Sequence, residues 1–341
     1  MKETSIQDSR LTRNVLITVF VVLIATLSTA FWFCYQTVKA EAYARYMGIK
    51  NVSAEKVSRV VRGVELSAQN VFDEVSANMD TPENVITALR RKANLNRDTR
   101  GYFAAFELDY FPEQGTWFEP YIYQPDVTGF EYRQVGSARH NYTKSPWYVQ
   151  AKKTGETFWS EPYYYYDGTS MSGHYTTFIK PLYDGNGRLA CVCGADMKFE
   201  WLAKELEWVD ESSKHDQQLN KYQMMSKDLD FYSLILDIDG TSIAHPEELS
   251  FSITDHDALL NLAQKKGGEL DMNVGGVPCT VYYGPIENIE WAIAVVVPKQ
   301  DLLKPMLPLA LVFVLLAAVG MLIVWLVTRT VAKKATSAME N

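Results

Sequence analysis

Cysteine and histidine are scarce: four and five residues in a chain of 341. His140, His174, His215, His245 and His256 are scattered, and no histidine pair stands near Cys191. A metal centre needs several ligands at defined spacing, so neither a metal nor a cofactor is expected. Cys191, Cys193 and Cys279 read as small buried strand residues, the alternative being a disulfide from Cys191 or Cys193 to Cys279. Basic residues are in the minority, 33 against 41 acidic, for a net charge of -8. That balance excludes the basic footprint of a nucleic-acid binder. No period of 20 to 50 residues recurs, which excludes solenoids and propellers. With 47% hydrophobic residues a disordered chain is excluded as well.

Charge itself is missing from two stretches. None occurs from Asn14 to Val38, nor from Pro305 to Thr328. A helix crossing a bilayer needs about 20 apolar residues, and both runs qualify. Arg10, Arg13 and Ala42-Tyr43-Ala44 give the first run a passing likeness to a secretory signal, but it exceeds the usual apolar core of about 7 to 15 residues. Lys2, Arg10 and Arg13 precede the first run, while Arg329, Lys333 and Lys334 follow the second. Between them lie 27 basic and 38 acidic residues, a net of -11. Basic flanks favour the cytoplasm, so both termini are expected inside and the acidic middle outside. A two-pass protein of the bacterial inner membrane is the expected setting.

Lys39 to Met79 holds no proline and repeats apolar residues at helical spacing, from Tyr43, Tyr46 and Met47 through Val57, Val60, Val61 and Val64 to Val71, Phe72 and Val75. One long helix leaving the membrane is predicted, weakest at Gly63. Its apolar face exceeds what its own chain is expected to cover, which predicts a homodimer. Thr81-Pro82-Glu83 caps a second helix to about Ala93. Strand periodicity begins at Gly101 to Leu108, followed by a loop rich in proline, glycine and aromatics. Pro146 to Lys153 is a predicted short helix opened by Ser145 and closed near Gly155. Tyr175 to Leu182 and Leu189 to Met197 form a hairpin around Asp184-Gly185-Asn186-Gly187. Phe199 to Trp208 is helical, and a polar linker runs from Asp210 to Asp228. The second unit begins at Asp230 with a hairpin, Tyr232 to Leu236 and Thr241 to Ala244. A helix over Asp255 to Lys266 stops at Gly267-Gly268, and strands over Thr280 to Gly284 and Trp291 to Val297 lead into the second apolar run.

This order resembles the extracytoplasmic double Cache sensors, tandem PAS-like modules that precede chemoreceptor, histidine kinase and PP2C-type phosphatase outputs in bacteria. The residues that carry the resemblance are Pro146-Trp147-Tyr148-Val149-Gln150-Ala151, Trp159-Ser160-Glu161-Pro162-Tyr163 and Gly194-Ala195-Asp196, then Leu236-Asp237-Ile238-Asp239-Gly240-Thr241 with His245-Pro246. It implies an α+β chain with a long stalk helix, two antiparallel sheets and flanking spans. The segments expected are a cytoplasmic start (1–14), a first span (15–38), the stalk (39–80), a distal module (81–228), a proximal module (229–304), a second span (305–328) and a tail (329–341). In relatives that bind amino acids or amines, a Trp-Tyr pair and an Asp surround the ligand's ammonium group. The resemblance therefore assigns ligand binding to Trp147, Tyr148, Tyr163, Tyr165 and Asp196, with Tyr121, Tyr142 and Asp167 as further candidates. An ammonium brings three donors and a charge, which suit a carboxylate among aromatic faces. Twenty of the 43 aromatic residues fall between Arg100 and Thr169. The amino-acid pattern, however, has an arginine where this chain has Ser145, a tyrosine where it has His140, and an acidic residue where it has Tyr165. An amine fits these residues at least as well as an α-amino acid.

An enzyme is the rival class. Asp237-Ile238-Asp239-Gly240-Thr241 matches the first motif of haloacid-dehalogenase-type phosphatases, with a nucleophilic and an acid/base Asp. Those enzymes need a parallel sheet and a later acidic pair, neither of which the sequence offers, and a β-turn explains the same letters. Thirteen residues follow the second run, so the signalling output is expected on a partner or beyond the chain, with Ala332 to Met339 as the possible start of a HAMP-like helix. No catalytic residue is expected within the chain.

Overall fold

The computed structural model describes residues 2–93, 96, 98–125, 129–165, 172–215, 231–244, 251–304 and 306–339. Asp167, His245-Pro246 and the end of the polar linker lie outside them. Helix α1 runs unbroken over Lys2–Ser76, about 110 Å at 1.5 Å per residue. Helix α2 (Pro82–Lys92) starts where Thr81 accepts a hydrogen bond from the Asn84 amide, the expected cap.

The first sheet has seven antiparallel strands. These are β1 (Gly101–Phe106), β2 (Pro120–Tyr123), β3 (Glu131–Gln134), β4 (Phe158–Trp159), β5 (Tyr163–Tyr165), β6 (Gly173–Tyr183) and β7 (Leu189–Lys198). Their order is β3-β2-β1-β7-β6-β4, with β5 also on β6. The region expected as one aromatic loop thus contains β2 and β3; neither alternates apolar with polar residues, so period-two reading passes over them. Helix α3 (Pro146–Thr154) crosses the sheet, and Gly155 ends it in the left-handed conformation. Helix α4 (Phe199–His215) extends past Trp208 into the expected linker, because Asp210 is buried and holds Ser233 through its amide and hydroxyl at 2.6 Å each.

The second sheet joins β8 (Tyr232–Asp237), β9 (Ser242–Ala244), β10 (Gly268–Val274), β11 (Val277–Pro285) and β12 (Trp291–Pro298) in the order β10-β11-β12-β8-β9. Helix α5 (His256–Ala263) is shorter than expected. Lys265, not a glycine, takes the left-handed turn after it. Gly267 and Gly268 instead lie close against Tyr283, where a side chain would meet its carbonyl or hydroxyl oxygen at 2.7 Å. Strand β10, absent from the sequence reading, pairs with β11 through Gly275-Gly276, both at positive φ, as a tight hairpin requires. Asp237 to Thr241 is a hairpin turn in this antiparallel sheet: Asp237 accepts from the Ile238 amide and Asp239 from the Thr241 amide. Such a turn is not the parallel-strand end that the phosphatase motif needs.

Both sheets lay one face on α1. Val57, Val61, Val64, Ala68, Val71, Phe72 and Val75 are buried there with Tyr102, Ala104, Cys193, Ala195 and Met197 of the first sheet and Trp291, Ile293 and Val295 of the second. Among large apolar residues of the stalk only Tyr43, Val52 and Leu66 stay exposed. The premise of the expected dimer, an uncovered stalk face, is therefore corrected: the chain's own modules cover it. Cys191 and Cys193 sit 3.8 Å apart by sulfur within this core. Cys279 is in a separate core behind the second sheet. All four cysteines are free thiols, so the alternative disulfide does not form.

Helices α6 (Lys299–Leu303) and α7 (Met306–Met339) complete the chain. Among the described residues two helices are long and apolar enough to cross a membrane, within Arg13–Ser76 and Met306–Val331. They lie side by side: Phe31 meets Phe313 edge to face at 6.0 Å, and Gly320 leaves room for Leu23. Thr18, Thr26, Thr29 and Thr37 each donate a hydroxyl to the carbonyl four residues earlier, which keeps polar groups paired in an apolar medium.

Candidate functional site

Alternation along β1 and β7 creates the site. Residues facing α1 leave their neighbours, Phe103 and Asp196, on the opposite face under α3. Register does the rest: Asp196 stands between Gly101 of β1 and Thr177 of β6, and Tyr121 of β2 lies across from Phe103. Two glycines make room for rings. A side chain at Gly101 would come within 2.6 Å of Tyr121, and one at Gly194 within 2.1 Å of Phe103.

The result is a small cavity of about 60 Å³ lined by Phe103, Glu119, Tyr121, Val135, His140, Trp147, Tyr163, Tyr165, Tyr175 and Asp196. Asp196 is buried and accepts hydrogen bonds from Thr177 Oγ1 (2.7 Å), Tyr121 OH (2.9 Å) and, more weakly, Tyr163 OH (3.4 Å). Burial raises its pKa to about 6 against the lowering effect of those three donors. It does not cap α4. Glu119 is 4% exposed, and burial, reinforced by the Asp196 charge, holds its carboxyl well above the usual range. Glu119 Oε2 makes no hydrogen bond among the described residues; His140 Nε2 lies 3.6 Å away. Burial depresses the His140 pKa, so that ring is a poor counter-charge near neutrality.

Of the residues assigned from sequence, Trp147, Tyr163, Tyr165, Asp196 and Tyr121 meet at this cavity. Trp147 packs 5.1 Å from Phe103. Tyr148 and Tyr142 do not line it. Tyr148 turns into the core, its hydroxyl on Glu107 at 2.8 Å, and Lys152 binds the same carboxylate. Tyr142 OH donates to the Phe106 carbonyl at 2.6 Å. Glu119, Phe103, Val135 and Tyr175 were missed. Their signal is register across strands that carry no motif, whereas His140 stands out in the sequence as a departure from the amino-acid pattern. Arg133, Arg139 and Lys144 are not among the lining residues.

A sequence profile described as "Methyl-accepting chemotaxis protein-like, first PDC sensor domain" matches residues 85–204. No curated protein sequence matches the chain. Among solved structures, the periplasmic sensory domain of the Campylobacter jejuni chemoreceptor Tlp1 superposes with a TM-score of 0.62 at 14% identity, covering 79% of this chain and 99% of that one. The extracellular domain of the putative histidine kinase mmHK1S-Z3 gives 0.59 at 18% identity, with 78% and 97% covered. The ligand-binding domain of Mlp24 with asparagine gives 0.55 at 17%, with 80% and 98% covered. The chain thus carries a tandem PAS-like fold like that of the double Cache sensors, and its residues 85–204 are similar to the first sensor domain of chemoreceptor-like proteins.

Proposed function

We propose that the chain is a two-pass sensor of the bacterial inner membrane whose distal module binds a small cationic amine and passes a conformational signal across the membrane. One observation carries the ligand class: two buried carboxylates, Asp196 and Glu119, share an aromatic cavity with no lysine or arginine among its described lining residues, the nearby buried Arg100 pairing with Tyr175. Low dielectric makes such carboxylates costly without a cation. An ammonium group supplies the charge and the donors, and Trp147, Tyr163 and Tyr165 supply the aromatic faces. Asp196 is the central acceptor, with Tyr121 and Tyr163 holding it in place.

An α-amino acid is the second reading, favoured by the Mlp24 domain with asparagine. It needs a partner for the carboxylate, and none lines the cavity among the described residues. Calorimetry on the full chain in detergent separates the two. Alkylamines should bind and the matching α-amino acids should not; tighter binding of the amino acids would refute the amine assignment. A homodimer would have to form on a face other than the stalk's buried one.

A further inference from the structure

A second cavity, of about 360 Å³, lies at the other end of the molecule, where both apolar helices meet the proximal module. That volume falls in the range of about 300–1,000 Å³ usual for ligand pockets. Its walls divide by chemistry. Tyr35, Val38, Leu302 and Met306 form the apolar side, at the ends of the two candidate spans. Lys39 and Lys299 form the cationic side. Lys39 is the first charged residue after the run from Asn14 to Val38, and Lys299 opens the helix just before the second run. Glu269 and Asp271 are two apart on β10 and share one face of the sheet, opposite Tyr282 and Thr280.

These charges lie in two pairs. Lys299 Nζ lies 2.8 Å from Asp271, which also accepts the Thr280 hydroxyl at 2.7 Å. Lys39 Nζ is 4.0 Å from Glu269, at the limit of an ion pair. The cavity's two cations and two anions balance in charge. A lone anion would face both carboxylates, and a lone cation both ammoniums. A zwitterion satisfies all four.

We propose that this cavity holds the headgroup of phosphatidylethanolamine from the leaflet on the module's side. Its phosphate sits between Lys39 and Lys299, its ammonium at Glu269 and Asp271, and its glycerol and first acyl carbons along Tyr35, Val38, Leu302 and Met306. The primary ammonium matters because it brings three N–H donors to the carboxylates, where a choline brings none. The proposal rests on the two-pass membrane reading. It is independent of the distal ligand.

The test is native mass spectrometry of the full chain, released in mild detergent from nanodiscs made of equal parts phosphatidylethanolamine, phosphatidylglycerol and phosphatidylcholine. Phosphatidylethanolamine should be retained about tenfold over the other two, a difference of about 1.4 kcal/mol. A Lys39→Gln/Lys299→Gln double variant with an unchanged melting temperature should lose that preference. Equal retention of phosphatidylglycerol or phosphatidylcholine would overturn the headgroup assignment. If glycerophosphoethanolamine raises the melting temperature of the delipidated chain as much as the lipid does, the site belongs to a soluble compound and the proposal fails. Release of the chain from membranes by alkaline carbonate would overturn the two-pass reading and the lipid site together. A chain that stays membrane-bound but retains no phosphatidylethanolamine overturns the lipid site alone.

Discussion

At the scale of single residues, Asp196 sets binding against stability. Its folded pKa near 6 stands about two units above that of a free aspartate, worth about 3 kcal/mol. The folded state then holds a proton that the unfolded state has released, so stability is full below about pH 4 and falls as pH rises through 6. Glu119, which faces the same cavity and is likewise held above its ordinary range by burial, has the same sign, and Asp210, also raised to about 6, adds to the same window. The melting temperature of the ligand-free chain is expected to drop between pH 4 and 7, with Asp196→Asn flattening part of that slope; a parallel profile in the variant would remove Asp196 as the cause. Amine binding should run the other way, weakening as pH falls through 6, because the ammonium needs the ionised carboxylate. Removing one partner of a buried pair costs about 3–5 kcal/mol. Asp196→Ala should therefore weaken amine affinity more than a hundredfold in calorimetry, and wild-type affinity in the variant would refute the ammonium assignment. Asp196, Trp147 and Tyr163 were legible because each sits in a short motif. Glu119 was not, since its place beside Asp196 is fixed by strand pairing across β1 and not by any local pattern.

At the scale of elements, legibility follows periodicity and punctuation. The stalk, α2, α3 and the β6–β7 hairpin announce themselves through caps, a left-handed glycine and a turn of Asp and Gly. Strands β2, β3 and β10 lie at or near sheet edges, where only part of the chain is buried and the apolar pattern is thin. Gly267 and Gly268 look like a helix stop in the sequence but are needed for close approach to Tyr283. The same logic makes Gly194 a sensitive position. A β-carbon there would fall 2.1 Å from the Phe103 ring, and overpacking of this kind costs about 1–3 kcal/mol. Gly194→Ala should lower the melting temperature and weaken amine binding as Phe103 is driven toward Trp147; an unchanged melt would mean that the ring moves freely. Gly63 is the contrasting case. It lies inside α1, where among the described residues an added β-carbon would meet the movable side-chain amide of Asn96, at 3.3 Å. Gly63→Ala should stabilise the chain by up to about 1 kcal/mol, read as a higher melting temperature.

At the scale of the whole molecule, the cavity and the stalk touch opposite faces of the same strands. Asp196 turns to the ligand side while Ala195 and Met197 on either side of it pack on α1. Trp159 adds a second link: its indole donates to Glu65 of α1 at 2.8 Å and packs 6.0 Å from Trp291, the first residue of β12. It stands four residues before Tyr163, so one ring joins the edge of the distal site to the stalk and to the strand that leads toward the second apolar helix. A ligand biases such a joint only if it binds its arrangements unequally. On that condition, a shift of the order of 1–2 Å, typical of helix displacements at interfaces, would move one apolar helix along the other. Cysteines at Thr37 and Leu307 in the full chain measure that motion by their crosslinking rate with and without a bound alkylamine. The rate should change on binding, and Trp159→Phe, which keeps the ring but removes the donor to Glu65, should reduce the change while leaving amine affinity near that of the unaltered chain. Equal rates in both states, with binding confirmed, would reduce the protein to a binding module without transmembrane signalling. A full response in Trp159→Phe would place the coupling in the β7–α1 packing alone.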